Sequence, residues 1–166
     1  MGSPGDERVE VLDDQGAVVD VVTRAEMRAR NLRHRSVYIA VVVGQRVLTH
    51  QRAAWKDAWP SRWDLAFGGV CNVGETWPDA ARRELAEEAG IVVTEAELLD
   101  LGDGRYESDE VTVVGRVYAV AHEGPFTFAD GEVAAIEWVE LTELDRWLAD
   151  HDTCSDSVEI VAPRLR

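Results

Sequence analysis

Cysteine is scarce in this chain: Cys71 and Cys154 are the only two, and they stand too far apart in sequence to suggest a disulfide framework or a zinc site. Cys71 reads as a small buried filler rather than a reactive thiol. Positive charge is short as well. The 17 lysines and arginines face 32 aspartates and glutamates, a net charge of −15, and Lys56 is the sole lysine. That balance argues against a nucleic-acid partner, because binding a phosphate backbone takes clustered cations. A phosphorylated small molecule stays compatible, since a metal ion can bridge two sets of negative oxygens. No apolar run has the length of a membrane span, and residues 1–7 lack the basic and apolar regions of a signal peptide. The expectation is a soluble, cytoplasmic protein with no membrane partner.

What is present suits one globular unit. The 166 residues are 46% hydrophobic and 30% charged, and a chain of this length buries roughly 70% of its unfolded surface. Residues 1–8 read as a flexible N-terminus and 9–166 as a single domain. Residues 9–12 and 18–23 are β-rich runs around a turn at Asp13-Asp14-Gln15-Gly16. Thr23 caps a short helix over residues 24–30, which Asn31 stops. Residues 36–43 and 46–51, on either side of Gly44-Gln45, read as the central hairpin of a sheet covered on both faces. A short strand over 65–67 runs into Gly68 and Gly69, whose missing side chains either let the backbone approach a substrate phosphate or make a tight turn. Residues 98–106 and 111–121 form a second long hairpin, and 126–128 and 134–139 are further strands. A helix over 142–149 and a last helix, capped by Asp152 or Thr153 and stopped by Pro163, complete an α/β (α+β) sandwich.

The densest signal lies at residues 69–91. Thr76 is placed as an N-cap with Asp79 three residues on, Pro78 is tolerated in a first turn, and Gly90 supplies a stop, so a helix is predicted over 77–89. At about 100° per residue, Glu84, Glu87 and Glu88 share one arc beside an apolar stripe of Ala81, Leu85 and Ala89. Like charges at this spacing repel, and Glu87 and Glu88 also sit in the last turn, where the helix dipole favours cations; each effect costs a few tenths of a kcal/mol up to about 1. A solvated acidic face is the plain alternative. A hard divalent cation explains the cluster better, because Mg²⁺ takes carboxylate, phosphate and water oxygens.

Gly69, five residues, Glu75, seven residues, then Arg83-Glu84-Leu85-Ala86-Glu87-Glu88-Ala89-Gly90-Ile91 resembles a complete Nudix box, with every defining position filled. The resemblance implies an α/β/α sandwich with a mixed β-sheet and the box loop-helix, and Mg²⁺- or Mn²⁺-dependent attack of water on a small-molecule diphosphate. It implies Glu75, Glu84, Glu87 and Glu88 as metal ligands and Arg83, Glu84 and Glu87 as the catalytic set, with Arg83 pairing Glu75 to hold the array against its own repulsion. Glu132, in the loop 129–133, is similar to a downstream acid that many members recruit as a ligand or base; a solvated loop carboxylate is the alternative. The general base stays open among Glu84, Glu87 and Glu132, with Glu107, Asp109 and Glu110 behind them. A homodimer follows from the resemblance alone.

Upstream, Leu32-Arg33-His34-Arg35, Gln51-Arg52 and residues 56–63 are similar to isopentenyl-diphosphate isomerases, a branch of the same superfamily. This likeness implies that Arg52 and Lys56 hold the substrate diphosphate. The isomerase chemistry does not carry over. Its catalytic cysteine would fall at Gly68 and two metal-binding histidines at Val70 and Met27, leaving only His34; a proton shuttle needs a titratable group, and Cys71 is three positions away. Hydrolysis is therefore expected, with a non-catalytic nucleotide-sensing module and isomerase-like proton transfer as the rivals; the retention of Glu84, Glu87 and Glu88 together favours the hydrolase. Trp59 and Trp63 read as packing residues and Trp55 is open. Substrate selectivity is assigned to the loops 51–63 and 103–110.

Overall fold

The computed structural model describes residues 2–166; Met1, part of the expected flexible end, lies outside them. Within that end, Pro4–Asp6 form a 3₁₀ turn and Arg8 already belongs to the first strand. Strands β1 (Arg8–Leu12) and β2 (Val18–Thr23) pair antiparallel as a separate hairpin, its turn tied by Asp13 Oδ1, which accepts from the amides of Gln15 and Ala17 at 2.9 Å each. Thr23 Oγ1 then accepts from Glu26 N at 3.2 Å to start α1 (Arg24–Ala29), and Asn31 in the left-handed region (φ 50°) ends that segment.

Strand β3 (His34–Val43) organises the rest because its alternate side chains serve different layers. Val37, Ile39 and Val41 pack in one core cluster, Tyr38 and Ala40 in the other. After a tight turn β4 (Arg46–Arg52) follows, but the two strands pair only at Val42↔Val47 and Val43↔Arg46. The expected central hairpin thus opens at once. Both edges of β3 are already taken, one by β6 (Phe67–Val70) running antiparallel and the other by β8 (Thr112–Val120) running parallel, so no edge is left for β4. β4 pairs instead with β5 (Trp63–Asp64) and β9 (Val133–Glu140), while β7 (Leu99–Glu107) completes the first sheet beside β8.

The helix α2 (Trp77–Ala89) has the predicted bounds, with Thr76 Oγ1 accepting from Asp79 N at 3.3 Å and Gly90 at φ 68°. Its Ala80, Ala81, Leu85 and Ala89 cover the Val37 side of β3. Helices α3 (Leu144–Asp150), α4 (Ser155–Ile160) and α5 (Ala162–Leu165) cover the Tyr38 side through Leu144, Trp147, Ile160 and Ala162. The fold is a mixed α/β sandwich.

Four local expectations are corrected. Of the strand expected over 65–67 only Phe67 is in a strand: residues 65–66 link β5 to β6, and β6 runs on through Gly68 and Gly69. Residues 126–128 are no strand: Thr127 N donates to Ala89 O at 2.9 Å, serving the end of α2, while Phe126 and Phe128 stack on each other against the core. Cys154, rather than Asp152 or Thr153, precedes α4, without a side-chain cap. Pro163 does not stop the last helix but sits in the first turn of α5, where a missing N–H leaves nothing unpaired. Cys71 and Cys154 are free and buried, and burial pushes the Cys71 thiol up to about 12, as suits a filler. Among the described residues no helix is long and apolar enough to cross a membrane.

Candidate active site

Arg83 is the hub of the loop and helix. Its Nε donates to Glu75 Oε2 (2.8 Å) and its Nη2 to Glu75 Oε1 (2.9 Å) and Val70 O (3.2 Å). Its Nη1 donates to Glu84 Oε1 (2.7 Å) and Glu87 Oε2 (3.3 Å). A guanidinium has five donors, and all five are used within the protein. Arg83, expected in the catalytic set, therefore has no N–H left for substrate. The expected Glu75 pairing is present, and the guanidinium hydrogen bonds hold the Glu75 carboxyl below its ordinary range. Glu75 also accepts from Asn72 N at 2.9 Å and does not line the cavity described next.

Gly68 and Gly69 owe their identity to the protein around them. A Cβ on Gly68 would lie 1.8 Å from Val37 O across the β3–β6 ladder, and one on Gly69 would lie 2.7–2.9 Å from the three carboxyl atoms of Glu84. The absent side chains make room for a backbone and for a carboxylate, not directly for a phosphate. Gly68 N also points at Glu88 Oε2, 3.4 Å away.

A cavity of about 320 Å³ opens beside the box. Glu84, Glu87, Glu88 and Glu132 line it together with Gly68 and Gly69. Glu84 is only 8% exposed, and burial raises its pKa against the opposing pull of Arg83. Burial first, then the charges of Glu84 and Glu132, drive the Glu88 carboxyl well above its ordinary range. Lys56 Nζ stands 3.0 Å from Glu132 Oε1. Arg52 lines the same space, its Nε donating to Ala58 O at 3.1 Å and its Nη1 3.9 Å from buried Asp64. The expected set of Arg52, Lys56, Gly68, Gly69, Glu84, Glu87, Glu88 and Glu132 is thus brought to one cavity. Glu107, Asp109 and Glu110, at the tip of the β7–β8 hairpin, do not line it; neither does any residue of the loop 103–110, whereas the loop 51–63 supplies Arg52, Lys56, Ala58 and Trp59.

Sequence reasoning missed Arg24, Arg28, Tyr38, Asp64 and Asp156, which also line this cavity. The i,i+4 spacing of Arg24 and Arg28 on a short helix was the one local signal. Tyr38 OH donates to Asp156 Oδ2 at 2.8 Å, and burial with the charge of Asp64 raises Asp156 to about 6. Burial likewise raises Asp64. His34 is buried and its Nδ1 lies 2.9 Å from Leu32 O; burial and the nearby Arg28 and Arg24 lower it to about 4, so the ring is neutral with Nδ1–H as donor. Met27 and Val70, where the isomerase histidines would fall, are packed in an apolar cluster with Val9, Val11 and Val22. Trp63 packs edge-on to Trp147 and His151, as expected, while Trp59 is packed by Arg62 and Tyr106 and also faces the cavity. Trp55 is 64% exposed.

Among the described residues no three of His, Cys, Asp and Glu converge as a ready metal cage. The reason is visible in the hydrogen bonds: Arg83 Nη1 bridges Glu84 and Glu87 and supplies the positive charge there. The donor set still fits a hard divalent ion, being four carboxylates on one cavity, with Glu88 pressed toward its neutral form by burial and by its acidic neighbours.

The chain is similar to several known proteins. An uncharacterized Nudix hydrolase of Streptomyces coelicolor is 34% identical over 171 residues, 99% of this chain and 91% of its own. One of Yersinia pestis is 33% identical over 139 residues, 83% of this chain and 75% of its own. Among solved structures, DR0079 from Deinococcus radiodurans is similar with a TM-score of 0.79, covering 96% of this chain and 98% of that one, at 22% identity. A bifunctional NMN adenylyltransferase/ADP ribose pyrophosphatase of Francisella tularensis, solved with AMP and a manganese ion, gives a TM-score of 0.57 over 75% of this chain and 38% of that one, at 23% identity. These two structures speak for the fold alone. The NUDIX domain family matches residues 32–158, and with the box arranged around Arg83 the chain belongs to the Nudix family, as a Nudix pyrophosphohydrolase.

Proposed function

We propose that this protein is a divalent-metal-dependent, cytoplasmic hydrolase that cleaves the diphosphate linkage of a nucleoside diphosphate joined to another group, or of a related organic diphosphate. The observation that carries the reading is the meeting of Glu84, Glu87, Glu88 and Glu132 with Arg52 and Lys56 at one cavity. These four carboxylates would hold Mg²⁺ or Mn²⁺, the latter being the ion in the Francisella neighbour. A bound ion supplies Lewis-acid polarisation of the phosphoryl oxygens and a water of lowered pKa.

The remaining work falls to the chain's own residues. Arg83 is a positioning residue: it aims Glu84 and Glu87 and offsets their mutual repulsion, and Glu75 fixes Arg83 in turn. Arg52 and Lys56 take substrate phosphate oxygens, in keeping with the upstream likeness to the isomerases; Glu132 orients the Lys56 ammonium. Glu87 is the proton acceptor, because its carboxylate is the most open of the box, 59% exposed, with a single hydrogen bond at 3.3 Å. Isomerase chemistry has no acid or base at Gly68 and no metal ligands at Met27 or Val70.

The test is phosphate-coupled turnover with Mg²⁺ or Mn²⁺ across ADP-ribose, nucleotide sugars, dinucleotides, nucleoside triphosphates and isopentenyl diphosphate. Metal-dependent cleavage of one of them, reduced about 10²–10⁴-fold in Glu87→Gln, is the expected result. Tight binding with no turnover across the panel would make the protein a sensing module instead.

A further inference from the structure

Two arginines in the cavity have no part in the reading above. Arg24 and Arg28 lie one turn apart on α1 and both line the cavity. The other cations there are engaged: Arg83 spends every donor on the protein, Lys56 pairs with Glu132 at 3.0 Å, and Arg52 Nε is held by Ala58 O. Among the described residues the ion pair of Arg24 is with Glu7, at 3.8 Å, and that of Arg28 with Asp57, at 3.8 Å. Arg28 Nε is buried and has no hydrogen-bond partner among the described residues. Buried donors are nearly always paired, and two neighbouring guanidiniums, with Arg52 close by, repel each other until an anion joins them. Burial and those like charges depress Arg28, which marks the strain on its charged form.

The aromatic rings that line this space already have partners, Tyr38 through its hydroxyl on Asp156 and Trp59 through its neighbours. Trp59 is covered by Arg62, whose guanidinium lies 4.8 Å from the ring centre, and by the edge of Tyr106. Trp63 is packed by Trp147 and His151, and Trp55 does not line the cavity. A second charged group is therefore better matched to these residues than a stacked base.

We propose that Arg24 and Arg28 form an anion subsite for a further oxyanion of the substrate, phosphate or carboxylate, beyond the diphosphate that is cleaved. This rests on the hydrolase reading and narrows its substrate class to diphosphates that carry a third anionic group. The forked donors of a guanidinium suit two-point recognition of such a group.

Binding is measured by calorimetry on protein stripped of metal by a chelating resin, so that no metal contributes, with inorganic pyrophosphate and with citrate as probes. Wild type should bind at least one of them, and Arg28→Met should weaken that binding about tenfold or more. Arg28→Lys should restore part of it, and Arg24→Gln should act in the same direction should Arg28→Met fail to fold. The part of the binding that Arg28→Met removes identifies the group: a larger loss for pyrophosphate assigns a phosphate to the subsite, and a larger loss for citrate a carboxylate. Equal binding by wild type, Arg28→Met and Arg24→Gln, each shown folded by circular dichroism, overturns the subsite. The two readings fail separately: absent turnover with intact Arg28-dependent anion binding removes the hydrolase, and intact turnover with anion binding indifferent to Arg28 removes the subsite.

Discussion

Adjacent glycines in β6 should respond to the same substitution differently, one mainly in stability and the other mainly in metal affinity. In Gly68→Ala the new methyl would stand 1.8 Å from Val37 O and 2.8 Å from Val37 C, both backbone atoms of the central strand. Backbone cannot swing aside, so β3 and β6 must separate locally. Overpacking costs about 1–3 kcal/mol and more where the backbone shifts, so about 3 kcal/mol is expected, roughly 6–12 °C in Tm for a chain of this size. In Gly69→Ala the methyl meets a side chain instead, 2.7–2.9 Å from the Glu84 carboxyl. That carboxyl can turn away, losing its 2.7 Å bond from Arg83 but gaining water. Charge-assisted bonds contribute about 1.5–3 kcal/mol, partly recovered on solvation, so the Tm should drop by only a few degrees. Metal affinity should suffer more, about 10–100-fold, because the ligand is misaimed. Thermal denaturation of both variants, together with Mn²⁺ titration followed by electron paramagnetic resonance, separates the effects. A Gly69→Ala protein as unstable as Gly68→Ala, with undiminished Mn²⁺ affinity, would refute the reasoning.

Two further outcomes follow from the site. Arg83→Lys keeps the charge but offers three donors in place of five, so Mn²⁺ affinity and turnover should fall together, each about 10–100-fold; unchanged affinity would show that the fork is dispensable. Asp156 is raised from 3.8 to about 6 by burial and Asp64, which means that the folded state binds its proton more tightly than the unfolded chain does. Its ionisation therefore costs nothing below about pH 4, erodes stability as pH rises toward 6, and costs on the order of 2–3 kcal/mol above that. Asp156→Asn keeps an acceptor for the Tyr38 hydroxyl and should be more stable than wild type at pH 8 but not at pH 4. Urea denaturation at both values checks this, and no gain at pH 8 contradicts it.

The helix α2 was legible because everything that starts, faces and stops it is local: Thr76, Pro78, the Ala81–Leu85–Ala89 stripe and Gly90. The box likewise gave away the Arg83–Glu75 pair, since their order along the chain nearly dictates it. What the sequence hid depends on which strand edges are occupied. The hairpin of β3 and β4 looks continuous until β6 and β8 are known to claim both sides of β3. The Tyr38–Asp156 contact joins residues 118 positions apart and exists only because α4 docks on the Tyr38 side of β3. Arg24 and Arg28 were hidden for a similar reason: α1 reads as a connector until the fold presents its side chains to the cavity. Phe126 and Phe128 carry a strand composition, but the open end of α2 takes the backbone between them.

The five-fold engagement of Arg83 bears on assembly as well as on chemistry. The guanidinium is a resident counterion that already balances Glu75, Glu84 and Glu87, so this acidic array can be built in a chain that has met no metal. Domains whose ligands gather only around an ion unfold when it is withdrawn. On the function proposed above, a chelator should silence turnover yet leave the protein folded, its melting point lowered only by the binding energy of the withdrawn ion, so that metal supply would govern when the protein works rather than whether it exists.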